Sequence, residues 1–469
     1  MPTSTFFTSA IESPALTTTE IVMRHVREPY PPLHRRRPSP ARLLRDHDGH
    51  PHRRFHQCGS RRPFLQGTTS SIVPCPMTTR RATLVSTSPT ARFASRWALT
   101  LAVLLGAASA DDAGLTPGPS LRTAAGRSFL IGVGVNDRIP ARPQDWPLLL
   151  TQFNSVTPEN CLKPDPVQVA EGRFNFSLAD AFVDFAVSNR LQVVGHTLVW
   201  AKDDRTPGWF YRDGTNLASA ELLLARMKTH IETVVGRYRG RIATWDVVNE
   251  ALDDGTNYLR DSGWSRACGE EFIARAFEWA HAADPGALLI YNDYNNELPN
   301  KRAKLLRLVR SLMERKVPLH AVGLQGHYEI DRIPFADLEA TLAAMRELGV
   351  KVVVSELDID VIPRGRWWAE GGKYRDELAQ WDPYRDGCPP EILQRQAEQY
   401  AQLFQLFRRY ADVIARVSFW NLHDGQSWLN DFPWKRVNHP LLFDRAGQPK
   451  PAFDAVLKTL QDTPPGDRP

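Results

Sequence analysis

Cysteine is scarce in this 469-residue chain: Cys58, Cys75, Cys161, Cys268 and Cys388 are all there are, and no two have CxxC or zinc-ligand spacing. Three lie beyond residue 110, so at most one disulfide can form there and a hydrophobic core must supply the stability. No apolar run reaches the roughly 20 residues of a membrane span. The best candidate, 97–105, is too short. Lysine is missing from the first 110 residues, which hold 15 arginines against 5 acidic side chains. The whole chain is +5, so the remaining 359 residues are net acidic by 5 charges. The basic balance belongs to the N-terminal part and gives no reason to infer a nucleic-acid partner. Phosphate-loop and zinc signals are also lacking beyond residue 110: Gly132-Val133-Gly134 runs into Asn136-Asp137-Arg138 rather than a helix start, and no HxH pair occurs there.

What is present begins with a low-complexity stretch, 1–76, rich in Arg, Pro, Ser, Thr and His, including His34-Arg35-Arg36-Arg37-Pro38. It has no helix or strand period and too little apolar surface to offset chain entropy. It reads as a disordered extension or as the product of an initiation codon set too early; an Arg-rich tail that binds nucleic acid is the less favoured alternative. From Met77 the character changes. Arg80, Arg81, Arg92 and Arg96 precede the apolar run, and Ala108-Ser109-Ala110 follows it. This is the pattern of a signal peptide over 77–110, cleaved after Ala110 for secreted or periplasmic destinations, with 111–127 as a linker. Thr79-Arg80-Arg81 faintly resembles a twin-arginine signal, but Thr83 stands where an aromatic is expected, and the export route stays open.

With 42% hydrophobic and 24% charged residues, the chain can bury a large core. From about 128 to 461, β-branched apolar runs alternate with helical-period segments. Strands are expected at 129–135, 155–159, 193–200, 244–249, 288–292, 321–325, 351–356 and 416–420. Helices are expected at 178–189, 220–238, 270–283, 301–315, 336–348 and 392–410. Eight such alternations in one catalytic domain predict an α/β fold of the (β/α)₈ TIM-barrel type, with a flexible tail over 462–469.

Polar residues gather where the predicted strands end: Glu159, Asn160, His196, Asn249, Glu250, Asn292, Asp293, Gln325, His327, Glu356 and Trp420. Barrel active sites are built at such ends. Any one of these residues taken alone fits a barrel-lip hydrogen bond. Seven strand ends at once do not, because buried carboxylates without a role are costly. Glu250 and Glu356, after the fourth and seventh strands, are placed as paired carboxylates across a cleft. That pairing is what glycosidic bond cleavage needs, one carboxyl protonating the leaving oxygen while the other attacks or activates water, with no metal and no cofactor. His196 and His327 could instead be zinc ligands, but a zinc site needs three or more converging groups. Asn292-Asp293 either caps the following loop or has a structural role near Glu250.

Five motifs in order, Asn154 to Asp165 around Glu159-Asn160-Cys161, Gly195-His196-Thr197-Leu198-Val199-Trp200, Trp245-Asp246-Val247-Val248-Asn249-Glu250-Ala251, Gly323-Leu324-Gln325-Gly326-His327-Tyr328 and Ser355-Glu356-Leu357-Asp358-Ile359, resemble the family 10 glycoside hydrolases, the retaining β-1,4-xylanases. The resemblance runs from about 129 to 455. It implies an endo-1,4-β-xylanase with Glu250 as general acid/base and Glu356 as nucleophile, supported by Asn249, His327 and Asp358. It implies sugar contacts from Glu159, Asn160, Lys163, His196 and Gln325, and aromatic walls from Trp200, Trp420 and Trp428. Its partners would be xylan and xylo-oligosaccharides, with no membrane contact after signal removal and a monomeric state. Three departures stand out. Ala201 to Arg205 replaces a shorter His-polar-Gln segment before Thr206-Pro207; Asn421-Leu422-His423 replaces Gly-Val-Thr after Trp420; and Cys161 follows Asn160. These bear on outer subsites for the non-reducing side of the substrate rather than on the catalytic pair.

Overall fold

The computed structural model describes residues 119–126, 128–365 and 375–462. The extension expected over 1–76, the signal expected over 77–110 and residues 463–469 of the expected tail lie outside them.

Eight parallel strands close into a barrel: β1 (Leu130–Val135), β2 (Ser155–Pro158), β3 (Gln192–Trp200), β4 (Thr244–Asn249), β5 (Leu288–Asp293), β6 (Ala321–Leu324), β7 (Lys351–Asp360) and β8 (Ile414–Trp420). Each pairs with the next in chain order, and β8 returns to β1 with Gly134 opposite Trp420. Helices Ser177–Ser188, Ala220–Arg237, Glu271–Ala283, Pro299–Glu314, Phe335–Leu348, Pro390–Arg409 and Pro451–Gln461 alternate with them. Strands in this setting are covered on both faces, which is why they read as continuous apolar runs. All six residues of β4 are buried. The helices show the complementary pattern: Pro390–Arg409 has proline in its first turn and buries Gln396, Tyr400, Leu403 and Phe407 along one stripe.

Gly132-Val133-Gly134 serves packing. A Cβ on Gly134 would sit 2.7 Å from Cε3 of Trp420, so glycine leaves room for that indole inside the barrel.

Two sequence-based expectations are corrected. The linker expected over 111–127 contains a helix, Leu121–Ala125, capped by Ser120 and packed beside the last helix. Leu121 is fully buried, and its N–H donates to Oε1 of Gln152 at 2.9 Å. One helical turn and a half is too short to show a period, so only the i, i+4 pair Leu121 and Ala125 marked it. The second correction concerns strand ends. β7 runs on to Asp360, so Glu356 lies inside it, at a register slip against β8 between Val354 and Leu357. His196 likewise lies within β3, at a slip against β4. Irregular pairing of this kind re-aims side chains, which an ideal alternation does not foresee.

Cys161, Cys268 and Cys388 are free thiols. Among the described residues no helix is long and apolar enough to cross a membrane.

Candidate active site

Glu250 is the first residue beyond β4, and it turns the chain with a φ of 57°. A left-handed conformation costs a non-glycine residue about 1–3 kcal/mol, so it persists only where the surroundings hold it. Here the Glu250 N–H donates to the carbonyl of Asn292 at 2.9 Å, and Nε of Arg260 donates to the Glu250 carbonyl at 2.8 Å. Its side chain is buried and accepts a hydrogen bond from Nε2 of Gln325 at 3.1 Å.

Glu356 sits in a different environment. Its Oε1 accepts from Nδ2 of Asn292 at 2.8 Å, and its Oε2 lies 3.2 Å from Nε2 of His327. Ser355 fixes the Asn292 amide by donating to its Oδ1 at 2.6 Å, which leaves Nδ2 for Glu356. The amides of Asn249 and Asn292 meet at 2.9 Å, and Gln325 approaches Asn249 at 3.5 Å. A chain of three neutral amides, Gln325, Asn249 and Asn292, thus runs from one carboxylate to the other.

The electrostatics follow from these contacts. Burial pushes the Glu356 carboxyl up, but the hydrogen bond from His327, the nearby His196 and His327 and the Asn292 amide outweigh it and hold the carboxyl below its ordinary value. Burial opposes charge on His327 too, yet Asp358 first and Glu356 second lift the imidazole to about 9. His327 is therefore an imidazolium at neutral pH, with Nδ1 3.0 Å from Asp358 and Nε2 toward Glu356.

The other expected residues fall into two groups. His196 pairs with the buried Asp246 at 2.9 Å and meets Trp420 edge-on, with ring centroids 5.5 Å apart. Further along the rim, Nζ of Lys163 donates to Asn160 at 2.9 Å and lies 5.0 Å over the Trp200 ring. Glu159 lies 3.5 Å from Nδ2 of Asn421; burial, with Asp137 behind it, raises its carboxyl despite Lys163. Burial in turn lowers the Lys163 ammonium, against the pull of Glu159 and Glu356. Trp420 is buried rather than open to the cleft, whereas Trp200 is half-buried. Trp428 packs on His327 at 4.8 Å and on Phe432 at 5.0 Å, with Arg364 at 5.2 Å.

Sequence reasoning left out Asp246, Arg260 and Lys301, which the geometry brings in, and gave Asn292 only a capping or structural role. Asn292 touches Glu356 directly, and Asp246 orients His196. Arg260 holds the Glu250 carbonyl, and Lys301, almost fully buried, pairs with Asp293 at 2.8 Å. The available signals were the Asn292-Asp293 pair at a strand end and a lysine, Lys301, in line with the apolar stripe Leu305, Leu308 and Leu312 of its helix.

Two carboxylates at the mouth of a closed parallel barrel, one charge-compensated by an imidazolium and one held by a neutral amide, define a barrel glycoside hydrolase. The chain belongs to Glycosyl hydrolase family 10, whose model matches residues 120–459. It is 41% identical over 342 residues to an endo-1,4-beta-xylanase of Geobacillus stearothermophilus, covering 72% of this chain and 98% of the relative. It is 40% identical to a beta-1,4-xylanase of Dictyoglomus thermophilum, covering 72% and 91%. A solved xylanase of Paenibacillus barcinonensis, complexed with a conduramine derivative, matches with a TM-score of 0.67 and 38% identity, covering 74% of this chain and all of that one.

Proposed function

We infer that the protein is an endo-1,4-β-xylanase that cleaves internal bonds of xylan with retention of configuration. The observation that carries this reading is the unequal surroundings of the two carboxylates. Glu356 faces an imidazolium and an amide donor, which suits an ionised nucleophile, whereas the Glu250 carboxyl accepts from the neutral Gln325 amide. In the first step an oxygen of Glu356 attacks the anomeric carbon as the bond to the leaving oxygen breaks, and Glu250 gives that oxygen its proton. In the second, water attacks the same carbon, passes a proton to Glu250 and releases Glu356.

Asn249 is assigned the sugar 2-hydroxyl at the cleavage point, and His196 and Gln325 further contacts there. Glu159, Asn160 and Lys163 form the next subsite, with Trp200 and Trp428 as walls; indole faces suit the apolar C–H faces of sugars. Trp420, being buried, acts on this wall through His196. Xylose lacks the hydroxymethyl group of glucose, so bulky rings near that carbon select xylan over glucan. Export through the 77–110 signal, with the secreted protein starting near Asp111 and working as a monomer, belongs to the same reading.

Reducing-sugar release from xylan and from carboxymethylcellulose, with Glu356→Ala as control, tests it. Release from xylan alone, abolished in the variant, is expected. Equal release from both polymers would overturn the substrate, and activity surviving in Glu356→Ala would overturn the nucleophile.

A further inference from the structure

The turn at Glu250 leaves one main-chain group without a place in the barrel ladder. The N–H still bonds to Asn292 of β5, but the carbonyl of a left-handed residue points away from the sheet. Arg260 supplies its partner, Nε at 2.8 Å. The other arm of the same guanidinium donates to the Tyr294 hydroxyl at 2.6 Å; that hydroxyl donates to Asp254 at 2.7 Å, and Asp254 accepts Nζ of Lys301 at 3.0 Å. Lys301 also binds Asp293, whose other oxygen takes the Tyr291 hydroxyl at 2.6 Å and the Leu252 N–H at 3.2 Å. The N–H of Ala251 donates to the Tyr291 hydroxyl at 3.1 Å. Residues 250, 251 and 252 are thus each gripped by a side chain, and only the grip on Glu250 comes from Arg260.

Resting on the acid/base assignment made above, we propose that Arg260 is a positioning residue for the general acid, holding Glu250 in its left-handed conformation through the backbone carbonyl so that its carboxyl meets the leaving-group oxygen. Three features separate this from a merely structural role. The Arg260 N–H donates to the Ala251 carbonyl at 2.8 Å, a main-chain bond that survives any change of side chain, so the loop keeps its path. Glu356 is anchored by Asn292 on β5 and by His327 just beyond β6, neither of which is hydrogen-bonded to Arg260. The fork shape of the guanidinium lets one group serve the Glu250 carbonyl and Tyr294 at once, which a lysine ammonium can do only in part. Loss of Arg260 therefore frees the acid while the nucleophile stays fixed. A displacement of about 1 Å is enough to cost much of a proton transfer.

The test is kinetics on xylan and on aryl β-xylobiosides whose leaving groups run from 2,4-dinitrophenol to phenol, for wild type, Glu250→Ala, Arg260→Ala, Arg260→Lys and Tyr294→Phe. Arg260→Ala should lose about tenfold or more in kcat/KM on phenyl xylobioside and xylan, where protonation is needed, and less than about threefold on the dinitrophenyl substrate. Arg260→Lys should recover part of the loss. Tyr294→Phe, which leaves the guanidinium on the carbonyl with its other arm reaching only Asp254, at 3.5 Å, should shift the same way by less, and it gives the answer if Arg260→Ala does not fold. A uniform loss on all leaving groups in Arg260→Ala, or no leaving-group dependence in Tyr294→Phe where the alanine variant is unfolded, overturns the proposal. Absence of leaving-group dependence in Glu250→Ala overturns instead the assignment on which it rests.

Discussion

Trp428 donates its indole N–H to Oδ2 of Asp358 at 2.8 Å, the same oxygen that meets Nδ1 of His327. A line of contacts therefore runs from the Trp428 indole through Asp358 and His327 to Glu356. Trp428→Phe keeps an aromatic surface but removes the donor. A hydrogen bond to a charged group is worth about 1.5–3 kcal/mol, so a loss of about tenfold in kcat/KM is expected even on a small aryl xylobioside. Steady-state kinetics with that substrate check it: a change confined to long oligosaccharides would show that Trp428 acts only as a wall.

The same line carries a pH dependence. His327 is raised from 6.5 to about 9, so its contribution to stability is full below pH 6.5 and is lost as pH rises through about 9. Glu356 is lowered from 4.5, so its contribution is present above that value and is lost as pH falls through the lowered one. Asp358→Asn removes the larger of the two charges that lift His327. The imidazole should fall back toward 6.5, so that thermal stability declines at lower pH than in wild type. Glu356, deprived of its imidazolium, should rise, moving the acid limb of kcat/KM to higher pH. Superimposable melting and activity profiles for the two proteins would refute this coupling.

Gly323 faces the amide that bridges the two halves of the site. A Cβ there would stand 2.1 Å from Oδ1 and 3.2 Å from Cα of Asn292, and the second neighbour is backbone. Gly323→Ala should destabilise by about 1–3 kcal/mol, as overpacked cores do, and should weaken the Asn292 bond to Glu356. Gly236, in the helix Ala220–Arg237 with open space where a Cβ would stand, is the comparison: alanine there should be neutral or stabilising by about 0.5–1 kcal/mol. Denaturant melts of the two variants give the answer, and equal stabilities would refute the packing argument.

The extra residues after Trp200 are tied to the rim rather than to the reacting centre. Asp203 accepts the Gly263 N–H at 2.6 Å and pairs with Arg266 at 2.5 Å, while the Arg205 guanidinium lies 5.5 Å from the Trp200 ring. Replacing Lys202–Arg205 by a shorter segment should change KM or product length on xylo-oligosaccharides, with little change on an activated aryl glycoside. An equal collapse of both activities would show that the segment supports the chemical step.

How far the sequence reaches depends on the kind of information each feature needs. The eight strands and the carboxylate pair were legible because apolar runs and motifs are local. Trp428 could be named from the family resemblance, but its bond to Asp358 joins residues 70 positions apart. Arg260 was invisible for a stricter reason: its partner is a carbonyl that exists in that direction only because Glu250 adopts a positive φ, a conformation no motif declares. Glu356 was expected at a strand end because the strand continues through an irregular pairing, and a slip of register is set by neighbours rather than by its own sequence. The helix at Leu121–Ala125 was lost because five residues carry no period.

The final prediction concerns the stereochemical course. Retention calls for carboxyl groups about 5–5.5 Å apart, against about 6.5–9.5 Å where a water must fit. The amides of Gln325, Asn249 and Asn292 touch one another and both carboxylates, so a single hydrogen-bonded network joins the two groups. In Glu250→Ala the nucleophile keeps its bonds to Asn292 and His327, so a good leaving group should still depart and the glycosyl-enzyme should accumulate. Azide is an anion that needs no general base, and the cavity left by the carboxyl admits it, so added azide should restore turnover and give the β-glycosyl azide. In Glu356→Ala the general acid remains but nothing attacks; turnover should vanish on every substrate, and azide entering from the vacated side should give the α product. Proton NMR of the first sugar released by the wild-type enzyme decides the matter: the β anomer is expected, and the α anomer would refute the double displacement even with xylan as substrate.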